Sequence, residues 1–219
     1  SGLYTGKLEA IRGALGYITK SPCEYVAITD CNMVYNADFL KLTEAHIESG
    51  ADITCATVNA EFTASETADS IIFNAGGNGR VKETIINCAR AGNYKMSLNV
   101  FLLKKQLLID LVTDLIPKGK LNFARDILQD MADELDIRVY DYEGYYSKIS
   151  DLESYYDANM ALLDKSNLER LILMKRPIYT KVRDDAPSKY GLNSSVTNSL
   201  VADGCIIEGV VENSILFRG

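Results

Sequence analysis

From Val201 onward the sequence falls into sixes, VADGCI, IEGVVE and NSILFR, with small or apolar residues recurring at the same places in each unit. Hexapeptide periodicity of this kind predicts a parallel β-helix, in which each six residues make one short strand and one corner. It constrains the fold sharply, because stacked coils bury a core only when roughly three or more repeats stand together. Three sixes make about one coil. The tail is therefore expected to be the start of a larger domain, with Val201, Ile207, Val211 and Ile215 incompletely covered.

Upstream the pattern changes. In KLEAIRGALGYI the residues Leu8, Ile11, Leu15 and Ile18 share one face at helical spacing, and Ser21-Pro22 closes the segment. Tyr25 to Thr29 is a short apolar run of strand type. Ala37 to Gly50 is an amphipathic helix ending on glycine, and Ala51 to Val58 is the next strand. Helix, strand, helix, strand with short loops predicts a doubly wound α/β sheet. Ile71 to Phe73 and Val81 to Ile86 flank the turn NAGGNG and read as a hairpin, so the sheet is expected to become mixed. A strand at Leu98 to Leu103, a helix to Leu115, a helix at Asn122 to Leu135 and a strand at Ile137 to Tyr142 follow. A long helix is expected from Leu152 to Leu173, with Leu152, Tyr155, Tyr156, Met160 and Leu163 on its apolar face. The domains expected are residues 1–174, a linker at 175–197, and the first coil at 198–219.

A nucleotide-binding α/β domain normally opens with a strand and a glycine-rich turn. This sequence opens on a helix, and NAGGNG lies between two strands. Together with the short tail, this gives the expectation of a piece cut from a longer polypeptide.

With 23 Lys+Arg against 30 Asp+Glu the formal charge is −7, which argues against non-specific nucleic-acid binding. No stretch approaches the ~20 apolar residues of a membrane span, and SGLYTGKLEA lacks the pattern of a signal peptide. The five cysteines are never in a C-x-x-C pair, which points away from disulfides and zinc and toward small buried side chains in a reducing cytoplasm. His46, the sole histidine, is expected at or near the surface. The tyrosines Tyr145, Tyr146, Tyr155 and Tyr156 are expected to pack rather than to stack on a sugar.

Four strings then resemble one family. Tyr4 to Ala10, YTGKLEA, is similar to Y-R-G-T-A-D-A, and Tyr25 to Phe39 is similar to Y-V-L-I-L-S-G-D-H-I-Y-K-M-D-Y. Tyr145 to Met160 resembles Y-W-R-D-V-G-T-I-D-S-Y-W-E-A-N-M, and RPIYT with Asn198 to Gly219 resembles the linker and first coil. These are the marks of the glucose-1-phosphate adenylyltransferase (ADP-glucose pyrophosphorylase) family, and the resemblance covers essentially the whole chain. It implies a Rossmann-like mixed α/β sheet of the nucleotidyltransferase type, followed by the start of a left-handed parallel β-helix. The family's N-terminal G-G-x-G-x-R-L loop is absent from this sequence.

In the family, an aspartate in S-G-D-H and one in W-R-D-V-G hold Mg²⁺; these positions here are Asn32 and Lys148. Mg²⁺ in such sites relies on one or two carboxylates plus phosphate oxygens. One substitution removes a negative charge and the other reverses it, so no metal and no catalytic residue is expected. Asp30, two residues before Asn32, and Asp38 are the candidate substitutes. Thr5, Lys7 and Asn99 replace the family's arginine, threonine and glycine at ligand-facing places, and no clear E-K-P string stands near Lys82-Glu83-Thr84. The substrate-like cleft implied by the resemblance comprises Asp30, Glu83, Ser97 and Arg125, the last from Phe123-Ala124-Arg125-Asp126. Lys175, Arg176, Lys181 and Arg183 are the candidate effector contact.

The resemblance thus implies a regulatory, D-type subunit of the glycogen-forming enzyme, which converts ATP and glucose 1-phosphate to ADP-glucose and pyrophosphate. Its partner would be a catalytic adenylyltransferase subunit or a second copy. Mg²⁺ would serve the catalytic partner, no cofactor would be bound by this chain, and a sugar phosphate or nucleotide is a candidate ligand. The alternative is an active nucleotidyltransferase with relocated metal ligands. A hexapeptide-repeat acyltransferase is weaker, since the tail has no histidine.

Overall fold

The computed structural model describes residues 4–218, so the outermost residues of the expected domains, 1–3 and 219, lie outside the described residues. The chain forms two compact units: residues 4–30 with 38–143, and residues 31–37 with 144–218. The boundary therefore differs from the one drawn at residue 174, because the segment after 143 is compact with the tail. Among the described residues no helix is long and apolar enough to cross a membrane.

In the first unit α1 (Lys7–Lys20) buries Leu8 and packs Ile11, Leu15 and Ile18 against the core, as its spacing predicts. It stops where Pro22 forces Ser21 to an extended ψ of 138°. Strand β1 (Tyr25–Thr29) follows. The chain then leaves for the second unit with β2 (Met33–Tyr35) and returns at α2 (Phe39–Ser49), whose ends are fixed by the Asp38 carboxylate on Lys41 N and by left-handed Gly50. Next come β3 (Ile53–Phe62), the single turn α3 (Ala64–Thr67), β4 (Ile71–Ala75), β5 (Val81–Ile86), β6 (Gly92–Lys104), α4 (Lys105–Leu115) and β7 (Ile137–Asp141).

The sheet runs β5-β4-β6-β3-β7, with β1 also paired to β6. Only β3 and β7 are parallel; β1, β4, β5 and β6 pair antiparallel. The sheet is mixed, as the hairpin predicts, and departs further from a doubly wound one because β6 runs antiparallel to β1, β3 and β4. The core gathers Leu8, Phe101, Leu108, Phe123, Ile127 and their neighbours on one face.

Three other expectations are corrected here. The helix read over 122–135 is a π-helix at Ala124–Gln129, with Asp130 N reaching back to Arg125 O. Cys23 and Cys31 are exposed. His46 is 2% exposed, its Nδ1 is 2.7 Å from Thr54 Oγ1, and Tyr25 meets it edge-on. Burial, then the Lys104 charge, holds its pKa below the ordinary value, with Asp52 opposing. A depressed pKa means that stability from the neutral ring is present above the unfolded value of about 6.5 and is lost as pH falls through the folded one. Urea midpoints of the wild type should therefore fall more steeply on acidification below about pH 6.5 than those of His46→Gln. Parallel pH profiles would refute this.

In the second unit β2 pairs antiparallel with β8 (Tyr146–Lys148). The expected long helix is broken into α5 (Leu152–Met160), a 3-10 turn and α6 (Lys165–Leu171), because the Asp164 carboxylate caps Ser166 N and Asn167 N and starts a new helix. Six short strands follow: β9 (Lys189–Tyr190), β10 (Ser195–Thr197), β11 (Leu200–Val201), β12 (Ile206–Ile207), β13 (Val210–Glu212) and β14 (Ile215–Leu216). They form three parallel pairs, β9 with β12, β10 with β13 and β11 with β14. At the stacked corners Asn198 and Asn213, both left-handed and 15 residues apart, Asn198 Nδ2 donates a hydrogen bond to Asn213 Oδ1 at 2.7 Å. Parallel pairing thus begins at Lys189, inside the stretch read as linker. Ile207 is buried, while Val201, Val211 and Ile215 are half-buried.

Candidate functional site

The β2–β8 ladder joins two segments far apart in sequence. Met33 stands opposite Lys148, and Ile149 N donates to Asn32 O at 2.8 Å. Asn32 thus stands opposite Ile149 and is the diagonal neighbour of Lys148 on the adjacent backbone. Asn32 lies in the turn Cys31–Asn32, between the end of β1 at Thr29 and the start of β2 at Met33.

Asp30, which closes β1, accepts a 2.7 Å ion pair from Lys7 at the first position of α1, both side chains under a third exposed. The Lys7 ammonium also lies 5.3 Å from the centroid of the Phe101 ring. Asp38 is the cap of α2. Both carboxylates considered as substitutes thus have structural partners. Among the described residues no group of three or more His, Cys, Asp or Glu side chains is gathered as a metal would require.

Ser97, 4% exposed, sits where β6 bulges. Ala56 pairs with Val100 but Thr57 pairs with Ser97, so Leu98 and Asn99 are extra residues on β6. On its outer edge β6 pairs with β4 at Lys95 and Met96, and with β1 from Val100 onward, so the bulge is where its partner changes. Asn99 has φ 55°, and its N–H is held by Ser97 Oγ at 3.0 Å. Asparagine tolerates the left-handed region best after glycine, the residue of the family's pattern at this position, so the substitution suits the backbone found here. Asn99→Gly should leave the denaturation midpoint nearly unchanged, whereas Asn99→Val should lower stability by about 1–3 kcal/mol. Equal effects of the two would show that φ is not what the position requires.

At the bulge a polar row crosses the sheet, and of its members only Ser97 was singled out from the sequence. Thr57 pairs with Ser97 on one side and Asp141 on the other, and its hydroxyl donates to Asp141 Oδ1 at 3.1 Å. Lys95, two residues before Ser97, binds Asp141 Oδ2 at 2.6 Å. The alternation of Lys95 and Ser97 was the available signal. Hydroxyls, a carboxylate and an ammonium at one level suit hydrogen bonding to a polyhydroxylated or anionic ligand.

The remaining candidates do not join this row. Glu83 is exposed on β5 opposite Asn74, whereas Met96 is level with Ile72 and Ile85. Arg125 points its Nε to Asp126 at 3.1 Å with 63% of its side chain exposed. Asp126 is 3% exposed and also accepts from Asn122 N at 2.7 Å. Burial raises its pKa, but the bonds from Asn122 and Arg125 and the Arg125 and Lys120 charges together hold it below the ordinary value. This acid is therefore a helix-start anchor.

Of the candidate effector cations, Lys175, Lys181 and Arg183 are exposed. Arg176 is half-buried and donates to Asn36 O at 3.2 Å, while Asn36 Nδ2 donates to Leu171 O and Arg176 O at 2.8 Å each. Arg176 is thus part of a clasp on the segment that carries Asn32.

No protein-family model matches the chain. It is 31% identical over 213 residues to the glycogen biosynthesis protein GlgD of Bacillus subtilis, covering 97% of this chain and 52% of that protein. With GlgD of Geobacillus stearothermophilus it shares 34% over 204 residues, 93% of this chain and 49% of the relative. With the glucose-1-phosphate adenylyltransferase of Mycoplasma mobile it shares 30% over 220 residues, 98% of this chain and 57% of the relative. The chain spans about half the length of the curated relatives it matches.

Proposed function

Because this chain belongs to the glucose-1-phosphate adenylyltransferase family, with GlgD proteins among its relatives, we propose that it is part of a regulatory, catalytically deficient subunit acting in glycogen biosynthesis. The observation that carries the reading is the pairing of β2 with β8. It makes neighbours of Asn32 and Lys148, the two positions where the family's pattern has metal-binding aspartates.

The residues present do not fit Mg²⁺. An amide and an ammonium replace two carboxylates, and the nearest acid in sequence, Asp30, is paired with Lys7. A lysine about 4 Å from a single positive charge repels it by ~4 kcal/mol at an effective dielectric of 20, and a divalent ion more strongly. Relocated ligands at Asp30 and Asp38 would have to give up the Lys7 pair and the α2 cap, which disfavours the reading as an independent enzyme.

What supports a controlling role is that the scaffold persists while the charges change. Asn99 takes the left-handed backbone that a glycine also tolerates, and Lys95 with Asp141 at the exposed end of the row offers groups that a sugar phosphate or nucleotide could engage without turnover. The partner in this reading is a catalytic adenylyltransferase subunit, in the cytoplasm, and Mg²⁺ belongs to that partner. The parallel pairs of the tail are read as the start of the β-helix, with a step of 15 residues at β10 and β11 rather than three full sixes.

The test is a pyrophosphate-release assay with ATP, glucose 1-phosphate and Mg²⁺. The polypeptide by itself should be silent, and so should Asn32→Asp and Lys148→Asp, since each leaves the other defect. The double change should bind Mn²⁺ measurably by electron paramagnetic resonance, with strong non-additivity because both groups act on one ion. Mixed with a catalytic homologue, the unaltered polypeptide should change that enzyme's effector response. Turnover by the unaltered polypeptide without any partner would sink the proposal.

A further inference from the structure

Asn78-Gly79 is the single Asn-Gly step in the sequence, and it sits at the tip of the hairpin formed by β4 and β5. Gly79 N donates to Gly76 O at 2.9 Å and closes the turn, and Gly79 takes the left-handed φ of 78° that leads back into β5. Asn78 is exposed, yet its side chain folds back over the turn, where Arg80 N donates to Asn78 Oδ1 at 3.1 Å. A side-chain oxygen held by the N–H two residues on keeps Cγ beside the nitrogen between them, which is Gly79 N. The amide is thus an electrophile placed next to a nucleophile of its own main chain.

The surroundings favour negative charge on that oxygen. A Cβ built at Gly76 would meet Lys82 Cε at 3.2 Å and Asn78 Oδ1 at 3.3 Å, so the stem of Lys82 and the amide oxygen border the same small space. Charge that develops on Oδ1 therefore arises against the Arg80 N–H and close to the ammonium that Cε carries, on the pattern of an oxyanion hole. Gly79 has no side chain to block its nitrogen. Among the described residues nothing lies within 4 Å of the Cβ position of Gly77, so no packing holds the turn shut over the Gly79 proton. The same turn fastens the hairpin to β7. Gly79 O accepts from Val139 N at 2.9 Å, Arg80 bridges Arg138, and Arg80 Nε lies 3.7 Å from Asp136 Oδ1.

We propose that this turn is a self-modification site, at which Asn78 cyclises onto Gly79 and unfastens the hairpin from β7. Gly79 N gives up its proton and attacks Asn78 Cγ. The N–Cγ bond forms, the Cγ–Nδ2 bond breaks, and the amide nitrogen leaves as ammonia carrying that proton, so a succinimide remains. Water then opens the ring at either carbonyl to give aspartate or isoaspartate. No electrons are transferred, and water is the sole co-reactant. Isoaspartate routes the main chain through Cβ and Cγ, which adds a carbon between residues 78 and 79, and Gly79 O can no longer stay level with Val139 N. Both products place a new carboxylate beside Lys82 and Arg80, where it competes with Asp136 for the Arg80 guanidinium. The site stands apart from the nucleotide and metal readings above.

The chain is held warm in mildly alkaline buffer and sampled over days. Peptide mapping should show a gain of about 1 Da on the peptide that holds Asn78 before any other asparagine reacts, and isoaspartyl methyltransferase should label the same peptide. The folded chain should react at least as fast as the chain unfolded in urea, because the fold holds Cγ beside the attacking nitrogen. A folded rate lower by about tenfold would mean that the Gly79–Gly76 bond shields that nitrogen, and would overturn the proposal. Lys82→Met should slow the gain by about threefold at low ionic strength and by less in high salt. Asn78→Gln, whose longer side chain cannot close the five-membered ring, should abolish it. In the aged protein the Val139 amide should exchange about tenfold faster than in the fresh protein, and aged Asn78→Gln should show no such change. A first gain at another asparagine, or unaltered Val139 exchange in a fraction shown to carry isoaspartate, would sink the proposal.

Discussion

Phe101→Ala should lower the stability of the first unit by about 3–5 kcal/mol, the range for deleting a buried ring whose cavity cannot fully collapse. Phe101 is 0% exposed and lies in β6 between Ile28 of β1 and Cys55 of β3. Its neighbours are therefore backbone-tethered and cannot close the space. Its ring packs on Phe123 at 5.0 Å between centroids, tilted at 42°. It is also the surface beneath the Lys7 ammonium, so truncation loosens the Lys7–Asp30 pair as well. Urea unfolding should show the midpoint fall with little change in slope, and Phe101→Leu should lose less than half as much. A loss under about 1 kcal/mol would mean that the site repacks, contrary to its sheet setting.

Gly6→Ala should be the next most damaging single change. A Cβ built at Gly6 meets Leu121 O at 2.2 Å and its carbonyl carbon at 2.8 Å, and both are backbone atoms that no rotamer can move aside. Gly6 has φ −165°, ordinary extended backbone, so the requirement is close approach rather than torsion. The same Leu121 carbonyl accepts from Leu8 N at 3.2 Å and fixes the first turn of α1. Separating the chains far enough to admit a methyl breaks that bond, and about 2–3 kcal/mol is expected from overpacking plus the lost bond. Gly16 is the internal control, since nothing lies within 4 Å of its Cβ position. Gly16→Ala should stabilise α1 by about 0.5–1 kcal/mol. Thermal melts of the two variants should move in opposite directions, and a shared direction would refute the steric reading.

Much of the fold was legible because it is written in local signals. The spacing of Leu8, Ile11, Leu15 and Ile18 marked α1, and Gly50 marked the end of α2. The break at Asp164 had a local signal too, an aspartate before Lys-Ser-Asn, which the apolar spacing on either side concealed. The polar row at Thr57, Ser97 and Asp141 was not legible, because it exists only through the pairing of three strands distant in sequence. Asn99 was misjudged for a different reason. A letter-by-letter comparison registers the lost glycine but not the left-handed φ that asparagine tolerates. The exposure of Tyr155 and Tyr156 was equally hidden, since helical spacing says which residues share a face and not whether anything covers it.

The passage of residues 31–37 into the second unit governs how this polypeptide can be dissected. A cut at Glu143 looks natural from the run of the sequence, yet the amino-terminal product would carry β2 without β8, and the carboxy-terminal product β8 without β2. Each half would expose a strand edge that the other had covered. The same holds for an exchange of halves between relatives: a chimaera joined at that point would pair one parent's Met33 with the other's Lys148 position. Such hybrids mix the side chains at positions 32 and 148 whether or not that is intended.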